Sequence, residues 1–131
     1  MGKIIGLTFS ELNSRCQYEP GILTLLPNGD NVAYSSENNK FNDTKVDADV
    51  DLYLCSVYDM CIPEFKKWAK HHNPSKIVVG GWGPTISPGE FTSLAHKIVQ
   101  GPCDDFEATY AQPGQIVKGI TSYKKIPRYD L

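Results

Sequence analysis

A glycine-rich segment is the part of this 131-residue chain whose residue types and spacing point most directly to chemistry. It reads Gly80-Gly81-Trp82-Gly83-Pro84-Thr85 and follows an apolar run. Glycine allows positive φ and lets a ligand approach the backbone without a Cβ in the way. The segment therefore predicts either a ligand-contacting loop or a tight turn between a strand and a helix, and the residues alone leave both open. As a ligand loop it would supply Gly80, Gly81, Trp82, Gly83 and Thr85.

Other residues are expected beside this segment because they follow neighbouring apolar runs. In parallel sheets, ligands lie outside the carboxyl ends of the strands. The candidates at those ends are Ser10, Ser56, Tyr58 and Gly101. A helix-capping role for Ser56 is the alternative. Trp82 can likewise form a contact surface or fold back over the core, whereas a valine at Gly81 is expected to block the ligand and leave the domain folded.

Several well-known catalytic and binding patterns are absent from the sequence. It contains neither GxGxxG nor GxxxxGK[ST], the patterns of dinucleotide and P-loop nucleotide binding. No Ser-His-Asp or Cys-His arrangement is readable. The cysteines Cys16, Cys55, Cys61 and Cys103 form no CxxC or CxxxCxxC motif, so we expect free thiols and no iron–sulfur cluster. The chain is not predicted to be an enzyme on its own, although the question of activity stays open.

Apolar and β-branched runs predict the strands that must position these residues. The strands are expected at Lys3 to Phe9, Val32 to Ser35, Val50 to Val57, Lys76 to Gly81 and His96 to Gln100. A sixth run, Gln115 to Ile120, is expected as an edge strand that could pair antiparallel.

Proline-containing segments predict the helices between those strands. Pro63 fits the first turn of a helix running to about His72. Ser87-Pro88-Gly89-Glu90 resembles a capping box that starts another helix. Strands alternating with helices predict a Rossmann-like or flavodoxin-like α/β fold. It would be a doubly wound, mostly parallel five-stranded sheet with helices on both faces.

Composition and charge limit the classes of partner. Hydrophobic residues make up 40% of the chain, which is enough for one packed domain. The formal net charge is −2 without long runs of one sign, which argues against nucleic acid as a partner. No apolar stretch is long enough to span a membrane, and the first residues do not resemble a signal peptide. We therefore expect a cytoplasmic protein.

Taken together, these segments resemble the cobalamin-binding domain of radical SAM proteins. The stretch Ile77 to Thr85, followed by Ser87 to Glu90, is similar to the Gly-Gly strand end and proline-containing helix start of that family. Asp51 to Val57 resembles its preceding strand, and Tyr18 to Leu23 its proline-glycine-leucine segment. Ile126 to Leu131 is similar to the linker that leads into the catalytic barrel.

The resemblance implies what the chain binds and how it is divided. Residues 1–123 would be a cobalamin-binding-like domain and 124–131 the linker-like tail. Cobalamin would bind base-off, without an axial histidine, and a radical SAM-type protein would be the partner. One departure is that Pro102-Cys103-Asp104-Asp105 replaces the family's Gly-Glu-Gly-Glu turn. The alternative is a degenerate domain that has lost the ligand and acts only as an interaction partner of such a protein.

Overall fold

The computed structural model describes residues 3–9, 32–35 and 50–121, and these form an α/β fold. Within these ranges the strands are β1 (Lys3–Phe9), β2 (Val32–Ser35), β3 (Val50–Val57), β4 (Ile77–Gly80), β5 (Lys97–Gln100) and β6 (Ile116–Lys118). The α-helices are α1 (Ile62–Ala69), α2 (Trp82–Ile86) and α3 (Phe106–Tyr110). Short 3₁₀ helices occupy Asp59–Cys61, Pro74–Lys76 and Pro88–Phe91.

The strands form one sheet in the order β2-β1-β3-β4-β5-β6, and every neighbouring pair is parallel. The chain goes from β1 outward to β2 and then returns to the other side of β1 with β3. The order therefore reverses between β1 and β3, as in flavodoxin-like sheets. The predicted doubly wound α/β class is confirmed. The sixth run joins as a sixth strand, and its predicted antiparallel pairing is wrong because β6 runs parallel to β5.

The sheet is buried on both faces, which explains why its central strands read as unbroken apolar runs. Successive residues of β4 face opposite sides: Ile77 and Val79 belong to one buried cluster, and Val78 belongs to the other. The first cluster receives Phe65 and other side chains of α1, and the second receives Phe106 of α3. The expectation of helices on both faces is therefore confirmed.

Aromatic side chains dominate the first of these clusters. The Phe65 ring meets the Phe9 ring edge-on with centroids 5.3 Å apart and lies 5.3 Å from the Phe91 ring. Trp68 meets Tyr53 edge-on at 5.0 Å. Such pairs contribute about 0.5–1.5 kcal/mol each beyond the burial of their area. They fix α1 against β1 and β3, and thereby fix the turn that connects β3 to α1.

The helix predicted to start at Ser87 begins there but is only a short 3₁₀ helix, and an α-helix that was not predicted precedes it. The segment Trp82–Ile86, expected as a loop or turn, forms α2, and a 3₁₀ helix follows at Pro88–Phe91. The capping box does not form, because the Ser87 side chain makes no capping hydrogen bond. The Glu90 carboxylate accepts a hydrogen bond from the Lys66 ammonium at 2.6 Å instead.

Two further observations concern the limits of the described chain. None of the helices within residues 3–9, 32–35 and 50–121 is both long enough and apolar enough to cross a membrane. Ser10, the family-like segment from Tyr18 to Leu23 and the tail at 124–131 lie outside the described residues.

Candidate functional site

Strand register brings the ends of β1, β3 and β4 to one level of the sheet. Thr8 of β1 pairs with Ser56 of β3, and Ser56 pairs on its other side with Gly80 of β4. This level lies at the carboxyl edge, beside the point where the strand order reverses. Sheets of this class place their ligands there. Ser56 and the glycine segment, which are separate candidates in the sequence, are therefore neighbours in the fold.

Ser56 carries the most informative polar group at this edge. The residue is 7% exposed. A Cβ built on Gly81 would lie 3.1 Å from the Ser56 Oγ, so the hydroxyl faces the glycine segment. Ser56 lies within β3. The N-cap of the following 3₁₀ helix, Asp59–Cys61, is Tyr58, and its side chain makes no capping bond. The helix-capping interpretation of Ser56 is therefore wrong.

The Ser56 hydroxyl has no hydrogen-bond partner among the residues that the structure describes, whereas buried hydroxyls ordinarily have one. Leaving such a group unsatisfied costs about 1–3 kcal/mol. A buried donor without a partner among the described residues, at the carboxyl edge of the sheet, is therefore a candidate for a hydrogen bond to a ligand.

The glycines themselves are required by close packing against the end of β3. Gly81 has φ 98° and ψ −166°, a conformation that is essentially restricted to glycine. A Cβ at Gly83 would lie 2.8 Å from the Val57 carbonyl oxygen. The tight-turn interpretation thus accounts for both positions. It also corrects the expectation for Gly81→Val, because a side chain there would strain the fold as well as block a ligand.

Thr85 connects the glycine segment to the next loop. Its hydroxyl donates to the Gly81 carbonyl oxygen at 2.7 Å and accepts from the Gly101 amide at 3.0 Å. Gly101 follows β5 with φ 82°, and no atom of the described residues, its chain neighbours aside, lies within 4 Å of the position of a Cβ there. The loop after β5 consequently meets α2 at one side chain, and the described residues leave the Cβ position of Gly101 uncovered.

Among the described residues, three large apolar side chains are exposed beside the ends of β3 and β4. Met60 follows β3 and is 56% exposed, while Trp82 and Ile86 of α2 are each 62% exposed. Trp82 and Ile86 are four residues apart and share one side of α2, which packs against the turn containing Met60. Trp82 therefore presents a contact surface and does not fold over the core. We call these three side chains the apolar rim.

Tyr58 and Ser10 complete the predicted set. Tyr58 is half-buried against the first apolar cluster, and its amide donates to the Phe9 carbonyl oxygen at 3.0 Å. This bond joins the ends of β1 and β3 where the strand order reverses. Ser10 lies outside the described residues.

Of the apolar rim, only Trp82 was predicted from the sequence. Ile86 stands four residues after Trp82, which is a helical spacing, but Gly83 and Pro84 between them argue against a helix. Met60 carries no signal of its exposure in the sequence. Only the fold of the two turns after β3 and β4 places these side chains together.

All three histidines of the chain lie at the opposite edge of the sheet. His71 and His72 follow α1 and precede β4, and His96 directly precedes β5. The His96 ring contacts the Pro74 carbonyl oxygen at 3.2 Å and the Tyr110 hydroxyl at 2.7 Å. Because the strands are parallel, their amino ends point away from the candidate site.

The same opposite edge holds a buried lysine that the sequence did not single out. The Lys97 ammonium donates to the carbonyl oxygens of Gln112 and Gly114 and lies 5.6 Å from the centre of the Tyr110 ring. These contacts tie the start of β5 to α3 and to the loop before β6. The arrangement positions the elements and is remote from the candidate site.

The described cysteines are free, and they form no metal centre. Burial raises the pKa of the Cys55 thiol well above its usual value, since the thiolate would be poorly solvated there. Cys61 is also buried, and the Cys103 sulfur lies 3.1 Å from the Thr109 hydroxyl oxygen. Within the described ranges, no three His, Cys, Asp or Glu side chains are grouped so that they could bind a metal ion.

Comparison with known proteins returns no relationship. No protein-family description, no curated protein and no solved structure matches the chain.

Proposed function

We propose that this chain is a non-catalytic binding module that takes cobalamin, base-off, at the carboxyl ends of β3, β4 and β5. The observation that carries the proposal is the buried hydroxyl of Ser56, which faces the glycine segment and has no partner among the described residues. The sequence resemblance to cobalamin-binding domains supplies the identity of the ligand.

The chemistry of the residues fits this ligand in two further ways. A planar macrocycle needs apolar contact area, and the exposed side chains of the apolar rim offer it beside the glycine segment. No described residue covers the Cβ position of Gly101, so a ligand could approach the backbone there. Ser56 would donate a hydrogen bond to the bound molecule, and Tyr58 would border it.

The placement of the histidines supports base-off binding without a protein ligand on cobalt. Bound cobalamin supplies a cobalt ion that an axial imidazole could ligate, but His71, His72 and His96 lie at the amino ends of the strands. The chain's residues would therefore hold and orient the molecule and shield one of its faces. Any reaction at its open face would belong to a partner, and the resemblance suggests a radical SAM-type protein.

Ser56→Ala tests the proposal because it removes one hydroxyl and little else. Affinity for hydroxocobalamin, measured by titration, should fall about three- to tenfold, the usual effect of one hydrogen bond. The free protein should be equally stable or more stable by up to about 1 kcal/mol, since the removed hydroxyl is buried and has no partner among the described residues.

The control for this experiment is Ser93→Ala, which removes an exposed hydroxyl in the segment that leads to the amino end of β5. It should change neither affinity nor stability. If Ser56→Ala instead destabilises the free protein and leaves the affinity unchanged, the hydroxyl has a structural role and the proposal is wrong.

A second candidate function is favoured by the apolar rim itself. Exposed apolar side chains on two neighbouring elements also suit a protein partner, as expected for a degenerate domain that has lost the ligand and docks on a radical SAM-type protein. The two candidates differ in one measurement. A wild-type protein that retains no cobalamin after desalting supports the docking function, and one that retains it supports the binding module.

A further inference from the structure

Two left-handed glycine turns lie side by side at the carboxyl edge. Gly81 (φ 98°) follows β4, and Gly101 (φ 82°) follows β5. Glycine has no Cβ, so the backbone of each turn can adopt several conformations unless other contacts hold it. The Thr85 hydroxyl bonds to both turns.

The hydrogen bonds of Thr85 use up its single hydroxyl proton. That proton goes to the Gly81 carbonyl oxygen at 2.7 Å, and the same oxygen atom of Thr85 accepts the Gly101 amide at 3.0 Å. The Thr85 carbonyl oxygen also accepts a hydrogen bond from the Gln100 side-chain amide at 3.2 Å. Thr85 thus has no hydroxyl proton left to donate to a ligand.

A purely local explanation accounts for only half of this arrangement. A threonine in a helix commonly bonds to the carbonyl four residues earlier, and the bond to Gly81 is of that kind. The bond from the Gly101 amide is different, because it joins residues that are 16 positions apart, Thr85 in α2 and Gly101 in the loop after β5. It fixes the position of that loop relative to α2 and the turn at Gly81.

We propose that Thr85 is the positioning residue of the candidate site: its hydroxyl locks the turns at Gly81 and Gly101 into one surface and does not itself contact the ligand. The statement that Thr85 does not contact the ligand rests on the proposed function. The lock itself rests on the hydrogen bonds alone, and it assigns Thr85 a role other than the ligand contact expected from the sequence.

Amide hydrogen exchange of the wild-type protein tests the lock without any ligand. Gly114 is a matched reference because it also has a left-handed φ (94°), and its amide donates no hydrogen bond among the described residues. The Gly101 amide should exchange at least about tenfold more slowly than the Gly114 amide, after correction for intrinsic rates. Equal exchange would overturn the lock.

Two substitutions then connect the lock to binding. Thr85→Val keeps the side-chain shape and removes the hydroxyl, whereas Thr85→Ser keeps the hydroxyl. Thr85→Val should accelerate Gly101 exchange about tenfold and weaken hydroxocobalamin binding about five- to tenfold. Thr85→Ser should stay within about threefold of wild type in both measurements.

Thr92→Val is the control substitution. The exposed Thr92 hydroxyl donates only a local bond, to the Gly89 carbonyl oxygen at 3.2 Å, and its loss should alter neither measurement. If wild type binds cobalamin and Thr85→Val binds it equally well, the positioning role is wrong while the proposed function stands. If wild type binds no cobalamin, the proposed function and the positioning role both fail, and exchange at Gly101 still decides whether the lock exists.

Discussion

Gly81 combines two reasons for being glycine, and they make it the most sensitive single residue of the site. Its φ and ψ lie in a region that costs other residues about 1–3 kcal/mol. A Cβ there would also lie 3.1 Å from the Ser56 hydroxyl oxygen and 3.2 Å from the Val57 carbonyl oxygen. The sequence places Gly81 in an unusual glycine-rich segment. Only the backbone geometry shows whether packing or a ligand requires a glycine at this position.

Gly81→Ala should therefore lower the free energy of unfolding by about 1–3 kcal/mol. Urea denaturation followed by tryptophan fluorescence measures the change. Gly89→Ala is the matched control, because no atom of the described residues lies within 4 Å of the Cβ position there, and it should be close to neutral. Equal stability of the two variants would show that the strain assigned to Gly81 is absent.

Hydrogen bonds between elements explain how α3 and β6 are held at the edge of the sheet. Thr109 of α3 is fully buried, and its hydroxyl donates to the Asp105 carbonyl oxygen at 2.7 Å. The same hydroxyl oxygen accepts the amide of Ile120, which follows β6, at 2.9 Å. One side chain thus joins the helix to the chain beyond the last strand.

Thr109→Val should cost about 1–3 kcal/mol of stability, since it leaves the Ile120 amide without its partner. The measurement is again urea denaturation, with Thr92→Val as the exposed control. A cost no larger than that of the control would contradict the assigned role of Thr109 between α3 and β6.

The strands could be predicted from the sequence better than the helices, for physical reasons. The bounds of β3 match its apolar run because both of its faces are buried. The helix predicted to start at Ser87 does begin there, with Ser87 at the N-cap and Pro88 in the first turn, but it is a 3₁₀ helix of four residues without the capping box. The direction of β6 was wrong because α3, whose short sequence gives little helical signal, provides the crossover that parallel strands need.

The residues of the candidate site could be predicted from the sequence, but the contacts between them could not. Ser56 and the glycine segment were recognised as strand-end residues, and the register of the sheet brings them together. The Ser56 hydroxyl has no partner among the described residues, and the Thr85 hydroxyl bonds to the turns at Gly81 and Gly101; both observations depend on distances between segments far apart in sequence. No local pattern encodes those distances.

At the scale of the whole molecule, the sheet separates two chemically different edges. The carboxyl edge carries Ser56, the two glycine turns and the apolar rim, whereas the amino edge carries His71, His72 and His96. Parallel strands rise about 3.3 Å per residue, so even the four-residue strand β5 puts roughly 10 Å or more between its two ends. A ligand at the carboxyl edge is thus beyond the reach of any imidazole of this chain.

Electron paramagnetic resonance of the wild-type protein tests this account most directly. The protein is mixed with hydroxocobalamin, reduced to the cob(II)alamin form and desalted before the spectrum is recorded. We expect a cob(II)alamin signal that travels with the protein and is base-off, without superhyperfine splitting from an axial nitrogen. A protein fraction without the signal would contradict cobalamin binding, and a signal split by an axial nitrogen would contradict the base-off state. A splitting that changes when the histidines carry ¹⁵N would contradict the placement of the site at the carboxyl edge.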